Sequence, residues 1–318
     1  MDARFQPVDV SDFPRFADLA TFFRLPRTAV SADLDIAILG APFDLGVNFQ
    51  SGARNGPAAV REATRGIRRC HPTSNVMPFQ ECNIADVGDA KVNPYDLLGS
   101  LQYLQDLVNK VHAAGARPLT VGGDHTIPLP ILRAIAKDRP VGLIQFDAHP
   151  DLHDEVFGSK INHGTSFRRA LDEGLIDPKR SIQIGLRGSR FSEDDLAYGV
   201  EVGMRVITYD EYEALGRQKV CDELVSIAAK GPAYVSFDID ALDPIYARGT
   251  GTPEVGGLSV RDCQVLLRAL NGLDIVGADI CEVAPGLDVT GLTQLNAANL
   301  LFELVCVLTA AVKAAKER

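Results

Sequence analysis

The chain has 318 residues, 46% of them hydrophobic and 23% charged, the proportions of an ordinary soluble globule able to bury a large core. A formal charge of −10 at pH 7 argues against a nucleic-acid partner or an anionic membrane. Six scattered cysteines (Cys70, Cys82, Cys221, Cys263, Cys281, Cys306) form no CxxC pair and no dense framework, which suits reduced thiols in a cytoplasm.

Met1 to Ala32 contains Pro7, Pro14 and Pro26 and has little periodicity. Residues 1–34 therefore read as an arm over the body or a neighbouring subunit, and 35–318 as one catalytic domain. Met1 to Arg27 carries charges and prolines throughout, unlike a signal peptide. The first strand is predicted at Asp35–Gly40, before the loops Ala41–Gly46 and Ser51–Pro57. Pro57 suits the first turn of a helix to about Ala63. A short strand follows near Asn83–Val87. Next comes an amphipathic helix over Asp96–Ala114, with Leu98, Leu101, Leu104, Leu107 and Val111 on one stripe.

Strand and helix then alternate. Strands are predicted at Arg117–Val121, Val141–Phe146, Ser181–Leu186, Arg205–Tyr209, Ala233–Phe237 and Asp274–Cys281. Helices are predicted at Ile127–Lys137, Ser166–Glu173, Glu193–Val202, Asp210–Lys230, Val260–Asn271 and Leu292–Lys316. Alternation of this kind builds an α/β fold with a mostly parallel sheet of about eight strands, covered by helices on both faces. The apolar stretch Leu300–Val312 is broken by Glu303 and is too short to span a bilayer, so it reads as a buried helix.

Three clusters close apolar runs: Gly122-Gly123-Asp124-His125, Phe146-Asp147-Ala148-His149-Pro150-Asp151, and Ser236-Phe237-Asp238-Ile239-Asp240. The C-terminal ends of parallel strands are where α/β sheets assemble their sites. Alternate positions of an extended chain share a face, which would let Asp147, His149 and Asp151 converge. Four of the six histidines (His125, His149, His153, His163) fall between positions 125 and 163, beside Asp124, Asp147, Asp151 and Asp154. Mixed carboxylate and imidazole donors suit Mn²⁺, Co²⁺, Ni²⁺ or Zn²⁺ better than Ca²⁺ or Mg²⁺. No cysteine falls within a cluster, which argues against structural zinc. Six donors with four carboxylates exceed the needs of one zinc and suit two ions about 3.5–4 Å apart.

These clusters resemble the three signatures of the ureohydrolases, the family of arginases, agmatinases and guanidino-acid hydrolases. The likeness extends through Gly249-Thr250-Gly251-Thr252-Pro253-Glu254 and Glu282-Val283-Ala284-Pro285, and covers nearly the whole chain after residue 35. The resemblance implies an arginase-like three-layer α/β/α fold and two Mn²⁺ ions per subunit. By position, His125, Asp147, Asp151 and Asp238 would hold one ion, and Asp147, His149, Asp238 and Asp240 the other. Asp151 counts among the catalytic residues as well as the ligands. His163 matches the family's mobile acid/base histidine, and Glu282 the carboxylate that grips the guanidinium. The loop from Leu152 to Asn162 should meet the substrate tail, which makes His153 and Asn162 candidate substrate contacts.

Arg248 stands where many relatives have proline, and relatives vary at the position of His153. The agmatinase branch matches best in Gly249–Glu254 and His163-Gly164-Thr165. The first expectation is therefore hydrolysis of agmatine to putrescine and urea, with a 4-guanidinobutyrase or 3-guanidinopropionase as the alternative. A single-zinc deacetylase-like enzyme and a non-catalytic binding protein complete the field. The resemblance also implies a trimer or hexamer.

Overall fold

The computed structural model of the chain describes residues 2–317. One sheet holds eight strands: β1 (Ile36–Ala41), β2 (Ile84–Asp89), β3 (Arg117–Gly122), β4 (Gly142–Phe146), β5 (Ile182–Leu186), β6 (Arg205–Thr208), β7 (Ala233–Asp238) and β8 (Ile275–Cys281). Their order is β2-β1-β3-β8-β7-β4-β5-β6. Every neighbouring pair is parallel, so the sheet is wholly rather than mostly parallel. β1, β4, β5 and β7 are buried at every position, as strands covered on both faces must be.

Ten α-helices among the described residues complete the layers: α1 (Gly56–Thr64), α2 (Pro78–Glu81), α3 (Leu97–Ala113), α4 (Pro128–Ile135), α5 (Ser166–Asp172), α6 (Ala197–Val202), α7 (Tyr209–Leu215), α8 (Arg217–Ala228), α9 (Val260–Ala269) and α10 (Leu292–Lys316). α1, α10, α9 and α8 pack in succession on one face, and α3, α4 and α5 on the other. α10 is long and apolar enough to cross a membrane, but 78% of its apolar window is buried inside the fold. It is the central helix of a core. The N-terminal segment packs on the body: Phe22, Phe23 and Leu25 are buried in the main core, and the Arg61 guanidinium lies 4.2 Å from the Phe22 ring centroid.

Three sequence expectations need correction. Leu98 is exposed, and the buried stripe of α3 runs Leu101, Leu104, Val108, Val111. The helix predicted over Asp210–Lys230 is two helices, because Gly216 at φ 78° breaks the ladder between α7 and α8. Helix α6 starts only at Ala197; Asp195 ahead of it accepts hydrogen bonds from the Phe191 amide and the Ser192 hydroxyl, which holds that stretch as a turn.

Candidate metal centre and active site

The four strands that carry the chemistry, β3, β8, β7 and β4, are consecutive in the sheet although scattered along the chain. Their C-terminal ends deliver His125, Glu282, Asp238 with Asp240, and Asp147 to Asp151 to one place. Gly123 makes the approach possible: a Cβ there would stand 2.4 Å from the carbonyl oxygens of Ala41 and Phe43. Extension explains only part of the convergence. Asp147 accepts the His149 amide at 2.7 Å, and Asp151 joins by adopting a left-handed backbone at φ 51° rather than by continuing a strand. Glu282 is left-handed too, at φ 62°. Such conformations cluster at functional sites.

His125 Nδ1 lies 2.7 Å from Asp151 Oδ2, 3.1 Å from Asp147 Oδ2 and 3.3 Å from Asp238 Oδ2. His149 Nδ1 lies 3.1 Å from Asp240 Oδ2 and 3.6 Å from Asp147 Oδ1. Two three-donor groups result, His125–Asp147–Asp151 and Asp147–His149–Asp240, joined through Asp147. Backbone amides orient the carboxylates: Ala148 donates to Asp240 at 3.1 Å, and Asp240 to Asp238 at 2.8 Å. Gln145 Nε2 donates to Asp147 Oδ2 at 2.7 Å, and Gln183 Nε2 donates in turn to Gln145 Oε1 at 2.6 Å.

This donor set fits divalent cations. The Ser236 hydroxyl donates to Asp279 at 3.0 Å, so its oxygen accepts from His125 Nε2 at 2.9 Å. With Nε2 so engaged, Nδ1 is the nitrogen turned toward the carboxylates. The atom is buried and makes no hydrogen bond despite three carboxylates beside it. Histidines that ligate metals are oriented by this kind of outer partner. The charges agree. Burial and the neighbouring Asp240 and Asp147 push the Asp238 carboxyl well above the usual carboxylate range, and burial with Asp147 raises Asp151. Asp147 goes the other way, because His125 and His149 outweigh its burial. Both imidazoles rise well above their usual value: burial opposes their charge, but Cys281 with Asp147, Asp151 and Asp238 outweighs it at His125, and Asp240 with Asp147 at His149. A cluster that must take up protons to offset its own negative charge is suited to cations.

The remaining sequence candidates divide. His163 Nδ1 lies 3.3 Å from Glu282 Oε1; burial opposes its charge, but Glu282, with Asp151 and Asp124, lifts it to about 9. Glu282 is buried, and its Oε1 also accepts the His125 amide at 2.8 Å. Asp124 ligates nothing: it accepts the Gly46 amide at 2.7 Å and the Thr126 amide at 2.9 Å, fixing the loop after β1. His153 lines the cavity, with its ring edge-on to Phe191 at 5.8 Å. Asn162 does not line it. Its Oδ1 accepts the Gly164 amide and its Nδ2 donates to the Ser159 carbonyl, so both ends are spent capping the His163 turn. In this structure Asn162 serves as a cap.

Sequence reading missed Gln145, whose signal is a polar residue inside an apolar strand, and Arg187. The Arg187 guanidinium donates to the carbonyls of Gly185, Asp240, Ala241, Leu242 and Glu254, tying two loops of the site together. Cys281 also belongs here, against the expectation that no cysteine enters a cluster: its thiol groups with His125 and Asp238. A cavity of about 1260 Å³ opens over the centre, reaching His149, Asp151, His163 and Asp238 at its floor.

The profile of the arginase family matches residues 34–306. The chain is similar to guanidinopropionase of Pseudomonas aeruginosa, 48% identical over 304 residues that cover 95% of this chain and 96% of that protein. It is similar to mitochondrial agmatinase of Gallus gallus, 44% identical over 291 residues that cover 91% and 86%. Among solved structures, proclavaminate amidino hydrolase of Streptomyces clavuligerus superposes with a TM-score of 0.90 at 37% identity, covering 94% of this chain and 99% of that one.

Proposed function

We propose, from the premise that this chain belongs to the arginase family, that it hydrolyses a linear guanidino acid to urea and the corresponding amino acid. Membership makes it an amidinohydrolase of the agmatinase and guanidino-acid type. The observation that carries the reading is the pair of donor groups sharing Asp147 beneath one cavity. Agmatine, the first expectation from sequence, yields to its alternative, because the fuller match is to a guanidinopropionase. Arg190 supports the carboxylate tail: it lines the cavity, donates to the Glu193 carbonyl and meets no carboxylate among the described residues.

Two divalent ions, which we take to be Mn²⁺ held by His125, Asp147, Asp151, Asp238, His149 and Asp240, would supply an activated water at neutral pH. The chain's own residues position and protonate. Glu282 Oε2 has no hydrogen-bond partner among the described residues and is free to accept from the guanidinium, fixing its carbon by charge-assisted bonds. Glu282 favours the protonated form of His163 and orients its Nδ1, which leaves Nε2 to protonate the leaving nitrogen. His153 lies on the tail side.

A panel of 3-guanidinopropionate, 4-guanidinobutyrate, agmatine and arginine, scored by urea release, tests the substrate. Agmatine turning over fastest would overturn the guanidino-acid choice. Two metal ions per chain are expected, whereas a deacetylase-like site would load one. We further assign the protein to the cytoplasm as a homo-oligomer, a trimer or hexamer. The exposed Phe16, Leu19 and Val289 supply apolar surface for such contacts, and sedimentation would measure the state.

A further inference from the structure

Cys281 ends β8, in register with Asp238 of β7, and its side chain is fully buried. Its Sγ lies 3.9 Å from Asp238 Oδ2, the same oxygen that stands 3.3 Å from His125 Nδ1. All three donor atoms fall within 4.8 Å of one another. Around a tetrahedral ion with bonds of about 2.0–2.3 Å, neighbouring donors stand roughly 3.3–3.8 Å apart, so small shifts bring this trio into range. The thiol is not committed elsewhere. Besides that oxygen, the thiol reaches the Phe237 carbonyl at 3.8 Å, a long contact for a hydrogen bond. A second observation points to a ligand at this spot: the buried His125 Nδ1 makes no well-aligned hydrogen bond although carboxylates surround it, and it faces the same Asp238 oxygen.

We propose that Cys281, with His125 and Asp238, forms a second, softer cradle at the metal centre that accepts a thiophilic divalent ion such as Zn²⁺, Cd²⁺ or Co²⁺. The inference rests on the metal-centre reading above and adds a sulfur donor to it. Thiolate sulfur selects these ions over manganese. Binding replaces the S–H bond with a metal–sulfur bond and releases the proton to solvent. An ion seated there draws His125 and Asp238 away from Asp147 and Asp151, so zinc or cadmium competes with the ion that the oxygen-rich donors favour.

Titrating the metal-stripped full-length protein with Co²⁺ tests this without an activity assay. Visible ligand-field bands report any cobalt in the centre, and a near-ultraviolet sulfur-to-cobalt band reports a thiolate ligand. The expected result is both in the wild type, with the sulfur band lost and the ligand-field bands kept in Cys281→Ser. Ligand-field bands without a sulfur band in the wild type would overturn the role of Cys281 while leaving the metal centre standing. A sulfur band that survives in Cys281→Ser would also overturn it, by assigning the thiolate to another cysteine. Absence of all bands would instead sink the metal-centre reading. Should the variant fail to fold, X-ray absorption of the zinc-loaded wild type decides: a sulfur shell at about 2.3 Å supports the cradle, and an all-oxygen-and-nitrogen shell refutes it.

Discussion

Gln145→Leu is the sharpest probe of how the centre is held. The side chain is buried on β4 and does not line the cavity over the centre, yet its Nε2 donates to Asp147 Oδ2 at 2.7 Å and to the His149 carbonyl at 3.1 Å. Asp147 serves both donor groups, so one amide steadies both poles. Leucine has similar volume and leaves little cavity. Gln183 keeps its bond to the Pro150 carbonyl at 2.8 Å but loses the one its second amide hydrogen made to Gln145, a cost that falls on folding and is present with or without metal. Losing a hydrogen bond to a charged group costs about 1.5–3 kcal/mol. A 10- to 100-fold loss of metal affinity, the usual effect of deleting such an outer partner, corresponds to about 1.4–2.7 kcal/mol, and the two figures agree. Isothermal titration with Mn²⁺ should show that loss, and excess metal should restore urea release. Unchanged affinity, or an activity deficit that metal cannot rescue, would refute the chain of reasoning from amide to carboxylate to ion.

Replacing His163 with Asn should lower kcat about 100-fold or more with little change in KM, since only proton delivery is lost; steady-state kinetics checks the split. Arg190→Ala should raise KM for a guanidino acid roughly 3- to 5-fold, the scale of an exposed ion pair, and leave agmatine unaffected or better bound. Thermal unfolding of the metal-stripped protein should show stability falling from pH 5 to pH 9. Asp238 and Asp151 are raised, so the fold keeps protons that the unfolded chain has shed as pH rises above 3.8, while the raised His163 loses its contribution between 6.5 and about 9. Both effects carry the same sign, and loading with metal should flatten or invert the slope, because ligation needs deprotonated donors. Stepwise titration should resolve two unequal metal sites, with Asp151→Asn weakening only the weaker step.

The donors were legible because each sits at the end of an apolar run with a chemistry-bearing residue beside it. Spacing alone singled out Asp147, His149 and Asp151 as candidate donors. Their companions were hidden by topology. Cys281 and Asp238 are neighbours because β8 lies beside β7, and His125 meets Ser236 and Asp279 across three strands whose order no local pattern encodes. The capping role of Asn162 was not legible, because an amide in a loop near a site reads equally as a cap or a contact until its two bonds are seen. The broken helix at Gly216 turned on one residue's backbone angle within an otherwise continuous pattern. Asp151 was found for the wrong reason: strand alternation does not carry it to the centre, and its left-handed turn does.

That turn makes the two poles unequal. On the His149 side, Asp147 accepts a backbone amide and the Gln145 side chain, and Asp240 accepts the Ala148 amide and, at 3.4 Å, the Thr252 hydroxyl. These carboxylates are in position before any cation arrives. On the His125 side, the Phe167 amide holds the Asp151 carbonyl at 3.2 Å, but no backbone amide among the described residues orients the Asp151 carboxylate, which meets the His125 ring at 2.7 Å. Its backbone also carries a left-handed cost of roughly 1–2 kcal/mol. The cation at that pole must supply the order that amides supply at the other, and part of its binding energy is spent doing so. The His125-side ion should therefore be the weaker of the two and the first to leave under a chelator. It is also the one a sulfur donor at Cys281 could displace.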